Sequence, residues 1–147
     1  MLEVGPGTGY YSIPVAEWIG PAVSLEIFDL QREMLDHTLR RAEARGLANV
    51  TATQGDARTL PYDDASFDAA YLITVLGEIP DQHVALAELR RVLKPAGRLV
   101  VGELWGDPHV VPFGRLRRRA AAGLRFERSV GPRIGFFAAF TAPGDQA

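Results

Sequence analysis

Three glycines at alternate positions, Gly5, Gly7 and Gly9, and two aspartates further along, Asp29 and Asp56, are the residues best placed to do chemistry in this sequence. Glycines at that spacing let the backbone turn tightly and approach a ligand that a Cβ would hold away. Asp29 closes an apolar run, a position from which a carboxylate can accept hydrogen bonds from both hydroxyls of a ribose. Asp56 stands in Gly55-Asp56-Ala57, where a carboxylate can accept from the exocyclic amine of adenine. Each has a plainer reading: a tight turn, a solvated helix cap, an ordinary turn aspartate. Their order along the chain is harder to obtain by chance, and it carries the expectation of a ligand that contains a nucleoside.

The glycine spacing says more. A dinucleotide fingerprint runs G-x-G-x-x-G/A. Here the third glycine comes one place early, and Tyr10 fills the position that should be small. No Gly-Lys-Ser/Thr follows, so a phosphate-cradling P-loop is excluded as well. The compact turn suits a ligand with no pyrophosphate. Cysteine is absent, which removes disulfides, thiolate metal sites and cysteine nucleophiles, and no metal site is expected. A formal net charge of −2 offers no overall attraction for nucleic acid or anionic lipid. The sequence has neither a membrane-length apolar run nor a signal peptide, so a soluble cytoplasmic protein with a small-molecule partner is expected.

These residues need a scaffold. Residues 1–4 form a strand signal that runs into the glycine turn, and residues 10–19 a helix stopped by Gly20 and Pro21. Residues 23–28 are a second strand. In residues 31–45 Met34, Leu35, Leu39 and Ala42 share one helical face, with Asp36 and Arg40 spaced to pair and Gly46 at the C-terminus. Residues 49–54 and 67–73 are strands joined by a connection too short for a long helix. Asp81 is the expected N-cap of a helix whose buried stripe is Ala85, Leu89, Val92 and Leu93, ending at Lys94, Pro95 and Gly97. A fifth strand, residues 98–103, precedes a loop and a basic segment in which Phe113, Leu116 and Ala120 share a face away from Arg115, Arg117, Arg118 and Arg119. Residues 124–130 and 133–141 are then two strands about the turn Gly131-Pro132. Alternating strands and helices predict one α/β domain over residues 1–147, a doubly wound, mostly parallel sheet with an antiparallel terminal hairpin.

With these pieces in place, the sequence resembles the small-molecule group of class I S-adenosylmethionine-dependent methyltransferases. The matching segments are L-E-V-G-P-G-T-G at residues 2–9, D-L-Q-R-E-M-L at 29–35, Gly55-Asp56-Ala57, L-P-Y-D-D-A-S-F-D at 60–68 and L-R-R-V-L-K-P-A-G-R-L-V-V-G-E at 89–103. The resemblance implies a Rossmann-like sheet of seven strands and S-adenosylmethionine as cofactor. It implies that Glu3 and the turn of Gly5, Gly7 and Gly9 face the methionine part, and that Asp29 holds the ribose. Leu30 and Met34 would flank the adenine, Asp56 would take its amine, the Ala57 backbone would address a ring nitrogen, and Leu72, beyond the fourth strand, would offer its carbonyl to the ammonium group. Family members carry residues before the first strand that help to cover the cofactor, and commonly valine where Met1 stands. A start read too late at a GUG codon would give this appearance. A longer natural protein is therefore expected, with weak cofactor binding and slow turnover for this length.

The chemistry implied is in-line transfer of a methyl group to a small molecule, in which positioning does most of the work. A general base helps when the acceptor is a hydroxyl. Glu78, Glu103 and His109 are the candidates on the ligand side, with loop or cap roles as the simpler reading of each. Tyr10 and Tyr11 either line the cleft mouth or pack the first helix. No catalytic residue is assigned. Residues 72–75 lack the Asn/Asp-Pro-Pro-aromatic motif of enzymes acting on DNA amino groups, and cytosine C5 and arsenite methylation both need cysteines. The arginine cluster reads as a solvated face. Two other classes stand beside the main one: a cofactor-binding subunit or remnant without turnover, and an NAD-dependent oxidoreductase, which the glycine spacing and the absence of a Tyr-x-x-x-Lys pair disfavour.

Overall fold

The computed structural model describes residues 1–121, 123–132 and 134–144. Arg133, the expected first residue of the last strand, and residues 145–147 at the end of the expected domain lie outside them. Seven strands form one sheet: β1 (Leu2–Val4), β2 (Leu25–Asp29), β3 (Val50–Gln54), β4 (Phe67–Ile73), β5 (Leu93–Leu104), β6 (Arg125–Val130) and β7 (Gly135–Thr141), in the spatial order β3-β2-β1-β4-β5-β7-β6. Strands β1 to β5 pair in parallel, whereas β7 pairs antiparallel with both β5 and β6. This is the doubly wound sheet with an antiparallel terminal hairpin that the sequence leads one to expect.

Alternation along each strand sends successive side chains to opposite faces. Leu2, Val4, Ala70, Leu72, Leu99 and Val101 pack on the side of α3 (Gln82–Val92) and α4 (Phe113–Ala120). Leu25, Ile27, Tyr71 and Val100 pack on the side of α1 (Ser12–Ile19) and α2 (Arg32–Ala44). Glu3, between Leu2 and Val4, falls on the α1 side, and Glu103, two residues beyond Val101, falls on the α3–α4 side. The two carboxylates therefore flank the same edge of the sheet from opposite faces.

Several local signals act as expected. The Asp81 carboxylate accepts from Val84 N–H and caps α3. Gly46 and Leu47 donate back to the carbonyls of Glu43 and Ala42, a two-bond closure of α2. Strand β2 is Leu25–Asp29 where residues 23–28 are expected, and three further details differ. Helix α1 begins at Ser12 rather than residue 10, because Gly5, Gly7 and Gly9 all adopt positive φ and carry the turn two residues further. Strand β5 begins at Leu93, with its pairing to β4 slipping between Leu93 and Arg98. On α2, Asp36 pairs with Arg32 one turn before it, not with Arg40.

Arg91 of α3 fixes the long connection from β3 to β4. It donates to Glu88, Asp64 and the carbonyls of Leu60 and Tyr62, while Glu88 accepts from Leu60 N–H. That clamp holds the segment carrying Asp56 without any helix of its own. Leu116 and Ala120 bury one face of α4 as the pattern requires, and Arg115 and Arg118 face solvent. Arg117 instead lies over the Phe126 ring, 4.5 Å from its centroid.

Candidate active site

The carboxyl ends of β1 to β5 open onto a cleft of about 860 Å³. It sits where the winding reverses, between β1, whose neighbours continue to β2 and β3, and β4, which continues to β5. From β3 to β5 is four strand spacings, roughly 19 Å. Asp56 and Asp29 mark one end and Glu103 with Phe136 the other.

Gly5 lies between these ends. Its φ is +72°, and a Cβ there would stand 2.3 Å from Val75 Cγ2, so a side chain would meet both backbone strain and a wall of the cleft. Helix α2 braces the rest of the turn, with Thr38 donating to the Gly7 carbonyl at 3.1 Å and Arg41 to the Thr8 carbonyl.

Glu3 is 3% exposed beneath the start of α1, with its Oε2 accepting from the Ser12 hydroxyl. The neighbouring Tyr71 hydroxyl has no hydrogen bond of regular geometry, yet it lies close enough to help hold negative charge on Glu3. Burial outweighs both hydroxyls and pushes Glu3 up to about 7. The sign follows from linkage. Unfolded, Glu3 loses its proton near 4.5, while the native protein holds it to about 7, so its contribution to stability is full below the lower value and is lost as pH rises through the upper one. The size is on the order of 3 kcal/mol. Glu103 acts with the same sign over the same window. The carboxylates held below their ordinary range, Asp56, Asp68, Glu88 and Glu127, titrate beneath that window. In urea unfolding between pH 4.5 and 7, Glu3→Gln is therefore expected to lose less stability than the parent chain. Parallel pH profiles for the two would contradict this burial of Glu3.

Asp29 is partly exposed at the end of β2. Its Oδ1 accepts from Gln31 N–H at 2.9 Å, leaving Oδ2 without a partner among the described residues. Leu30, 67% exposed, and the half-buried Met34 line the cleft beside it. Ala57 lines it too. Asp56 is there as well, but a residue that sequence reasoning missed has closed on it: Arg58 donates Nε to both carboxylate oxygens at 3.1 Å and Nη2 to Oδ2 at 2.6 Å. These bonds, with the Arg58 backbone N–H, hold Asp56 well down at about 2. A carboxylate has about four acceptor positions, and these four bonds occupy them, so an adenine amine would have to take the place of one of the Arg58 contacts.

Leu72, expected beyond the fourth strand, instead lies inside β4, paired with Val101, and its side chain is buried in the core rather than lining the cleft. β4 ends at Ile73, as the strand signal over residues 67–73 predicts, which leaves Leu72 inside the strand; the ladder to β5 runs through Ile73 and Gly102, and Thr74 N–H bonds to the Gly102 carbonyl. Ile73, Thr74 and Val75 are the residues that reach the cleft from β4. Thr74 does so at φ +56°, a rare conformation for a β-branched residue and a mark of a constrained site.

The structure also separates the base candidates. Glu78 lines the cleft from the 3-10 turn Leu76–Glu78 but is exposed. His109 is exposed, outside the cleft, and faces Asp107. Glu103 lines the cleft and is 4% exposed. Tyr10 and Tyr11 both line it, with Tyr10 73% exposed and Tyr11 edge-on to Phe137. Phe136 and Phe137 were not foreseen, because only the return of β7 beside β5 brings them there. Among the described residues no group of His, Asp and Glu could hold a metal ion, and no helix is long and apolar enough to cross a membrane.

A doubly wound sheet with a glycine-lined cleft, a carboxylate at the end of β2 with one oxygen unpartnered among the described residues and an apolar far wall fits an adenosyl cofactor without a pyrophosphate. Residues 1–97 match the family described as Methyltransferase domain. A demethylmenaquinone methyltransferase of Anoxybacillus flavithermus is 34% identical over 115 residues, 78% of this chain and 48% of that protein. A ubiquinone/menaquinone biosynthesis C-methyltransferase of Cellvibrio japonicus is 36% identical over 110 residues, 74% of this chain and 44% of that protein. The chain thus spans about half the length of the curated relatives it matches. Among solved structures, a SAM-dependent methyltransferase from Aquifex aeolicus superposes with TM-score 0.86 at 24% identity, over 95% of this chain and 79% of that one. The [4+2]-cyclase SpnF superposes with TM-score 0.85 at 23% identity, over 97% and 74%. The chain belongs to the class I S-adenosylmethionine-dependent methyltransferases, and S-adenosylmethionine is the cofactor of that family. The cyclase shares the fold alone, so the reaction has to be argued from the cleft.

Proposed function

We propose that this chain is the cofactor-binding, catalytic part of an enzyme that methylates a flat, apolar small molecule by direct displacement. One observation carries the reading: a single cleft joins hydrogen-bonding residues suited to a nucleoside at its β2–β3 end to an apolar wall of Leu104, Phe136, Phe137 and Tyr11 at its β5–β7 end. S-adenosylmethionine supplies a methyl group on a positively charged sulfur. In this reading Asp29 holds the ribose, Leu30 and Met34 flank the adenine, and Asp56 and the Ala57 backbone address its edge. The glycine turn and Glu3 face the methionine part, with the Ile73–Thr74 backbone taking the place expected of Leu72. The apolar wall orients the acceptor and excludes water, which strengthens every polar contact in the cleft. The relatives' named activities are quinone methylations, and a quinol has the flat ring and hydroxyl that this wall would accept.

Incubation with methyl-labelled S-adenosylmethionine and a panel of quinols, phenols, peptides and RNA tests the acceptor. Label is expected in hydroxylated aromatic molecules, and label in RNA or peptide instead would overturn the assignment. The adenine contact has its own check. Asp56→Ala is expected to weaken S-adenosylhomocysteine more than its inosine analogue, which lacks the exocyclic amine, in calorimetric titration. Equal losses for the two ligands would remove Asp56 from that role.

A further inference from the structure

The methyl acceptor must give up a proton if it carries a hydroxyl, and the apolar end of the cleft holds one buried group able to receive it. Glu103 is the last inward-facing residue of β5 on the α3–α4 side and pairs across the sheet with Phe136. Its Oε2 accepts from Val111 N–H at 3.1 Å, which ties the carboxylate to the loop leading into α4. Its Oε1 is buried and has no hydrogen-bond partner among the described residues. Carboxylate oxygens left so are costly, and each calls for an explanation. Burial, opposed by the Val111 N–H bond and aided by the charge of Asp107 in the same loop, pushes Glu103 up to about 7. Nothing in the proposed cofactor contacts uses this residue.

We infer that Glu103 is the proton acceptor for a hydroxylated substrate, with Oε2 anchored by Val111 and Oε1 taking the hydrogen of the substrate hydroxyl. The inference rests on the methyl-transfer reading above and deepens it by naming the acceptor as a phenol- or enol-type hydroxyl. The step balances. The acceptor atom, the hydroxyl oxygen or the ring carbon conjugated to it, bonds to the methyl carbon, and the methyl–sulfur bond breaks with its electron pair left on sulfur. The hydroxyl proton passes to Glu103. One sulfonium cation and one carboxylate anion give two neutral groups.

The experiment uses Glu103→Gln with 1-naphthol as probe and naphthalene as its hydroxyl-free control, both titrated into the S-adenosylhomocysteine complex. Glutamine anchored by Val111 turns an amide NH₂ toward the place of Oε1, a donor where an acceptor is needed. The variant is expected to bind S-adenosylhomocysteine within about twofold of the parent and naphthalene equally, but 1-naphthol at least about fivefold more weakly. Single-turnover methyl transfer to 1,4-dihydroxynaphthalene is expected to fall by ~10²- to 10⁴-fold. In the parent chain, where no substitution disturbs folding, the ¹³C carboxyl resonance of Glu103 is expected to shift with 1-naphthol and not with naphthalene. Equal naphthol affinity and rate in the variant, or an unmoved Glu103 resonance in the parent, overturns the inference. Failure of the parent to bind S-adenosylhomocysteine overturns the methyl-transfer reading instead.

Discussion

Gly77→Ala is expected to destabilise the protein by at least about 3 kcal/mol, at or above the upper end of ordinary overpacking. A Cβ at Gly77 would lie 1.6 Å from the His109 carbonyl oxygen and 2.6 Å from its carbonyl carbon. Those atoms are backbone, so no rotamer change relieves the overlap. The 3-10 turn and the loop of residues 105–112 have to part. Because that loop supplies Val111 N–H to Glu103, the same substitution releases the carboxylate. For a chain of this size the loss corresponds to a fall of roughly 6–12 °C in Tm. Gly114→Ala is the matched control. It lies in α4 with only Arg118 Nη1 within reach of a new Cβ, at 3.6 Å, and a helical glycine replaced by alanine gains about 0.5–1 kcal/mol. Thermal unfolding that ranks Gly77→Ala level with Gly114→Ala would show that the turn and the loop do not press together as described.

Asp29→Ala is expected to weaken S-adenosylhomocysteine by about 1–3 kcal/mol, or roughly 5- to 150-fold, since two ligand hydroxyls lose their acceptor. The same substitution removes the bond from Gln31 N–H and so loosens the entry to α2. Stability and affinity therefore have to be read together. Asp29→Asn keeps one acceptor oxygen for Gln31 and is expected to retain the stability while losing part of the affinity. Calorimetric titration of both variants decides the point, and unchanged affinity in Asp29→Ala would remove the ribose role.

What could be read in the sequence, and what could not, follows from the range of the forces involved. The glycine turn, the Asp81 cap, the closure of α2 at Gly46 and the Gly131-Pro132 hairpin are local, set by residues within a few positions, and each is plain in the chain. The end of β4 at Ile73 was legible, but Leu72 lies inside that strand, and only its ladder to β5, about thirty residues later in the sequence, shows that its side chain is buried in the core and not at the cleft. Arg58 sits two residues from Asp56, a spacing that allows their pairing, yet nothing local reveals that the pair forms at the cleft. The difference among Glu78, Glu103 and His109 is wholly tertiary. Glu103 becomes buried only because β7 returns beside β5 and the loop before α4 folds over it. Nor does a threonine in a β-prone run announce the positive φ that Thr74 adopts.

The central claim is that the glycine turn and its acidic neighbours select an adenosyl cofactor without a pyrophosphate. An aspartate at the end of β2 serves nicotinamide dinucleotides equally well, so Asp29 alone does not decide between them, and the turn must. Isothermal titration of the chain with S-adenosylhomocysteine and, separately, with NAD measures that choice directly. The expected result is one saturable site for S-adenosylhomocysteine and no heat of binding for NAD. Saturable NAD binding, or no binding of S-adenosylhomocysteine at millimolar concentration, would contradict it.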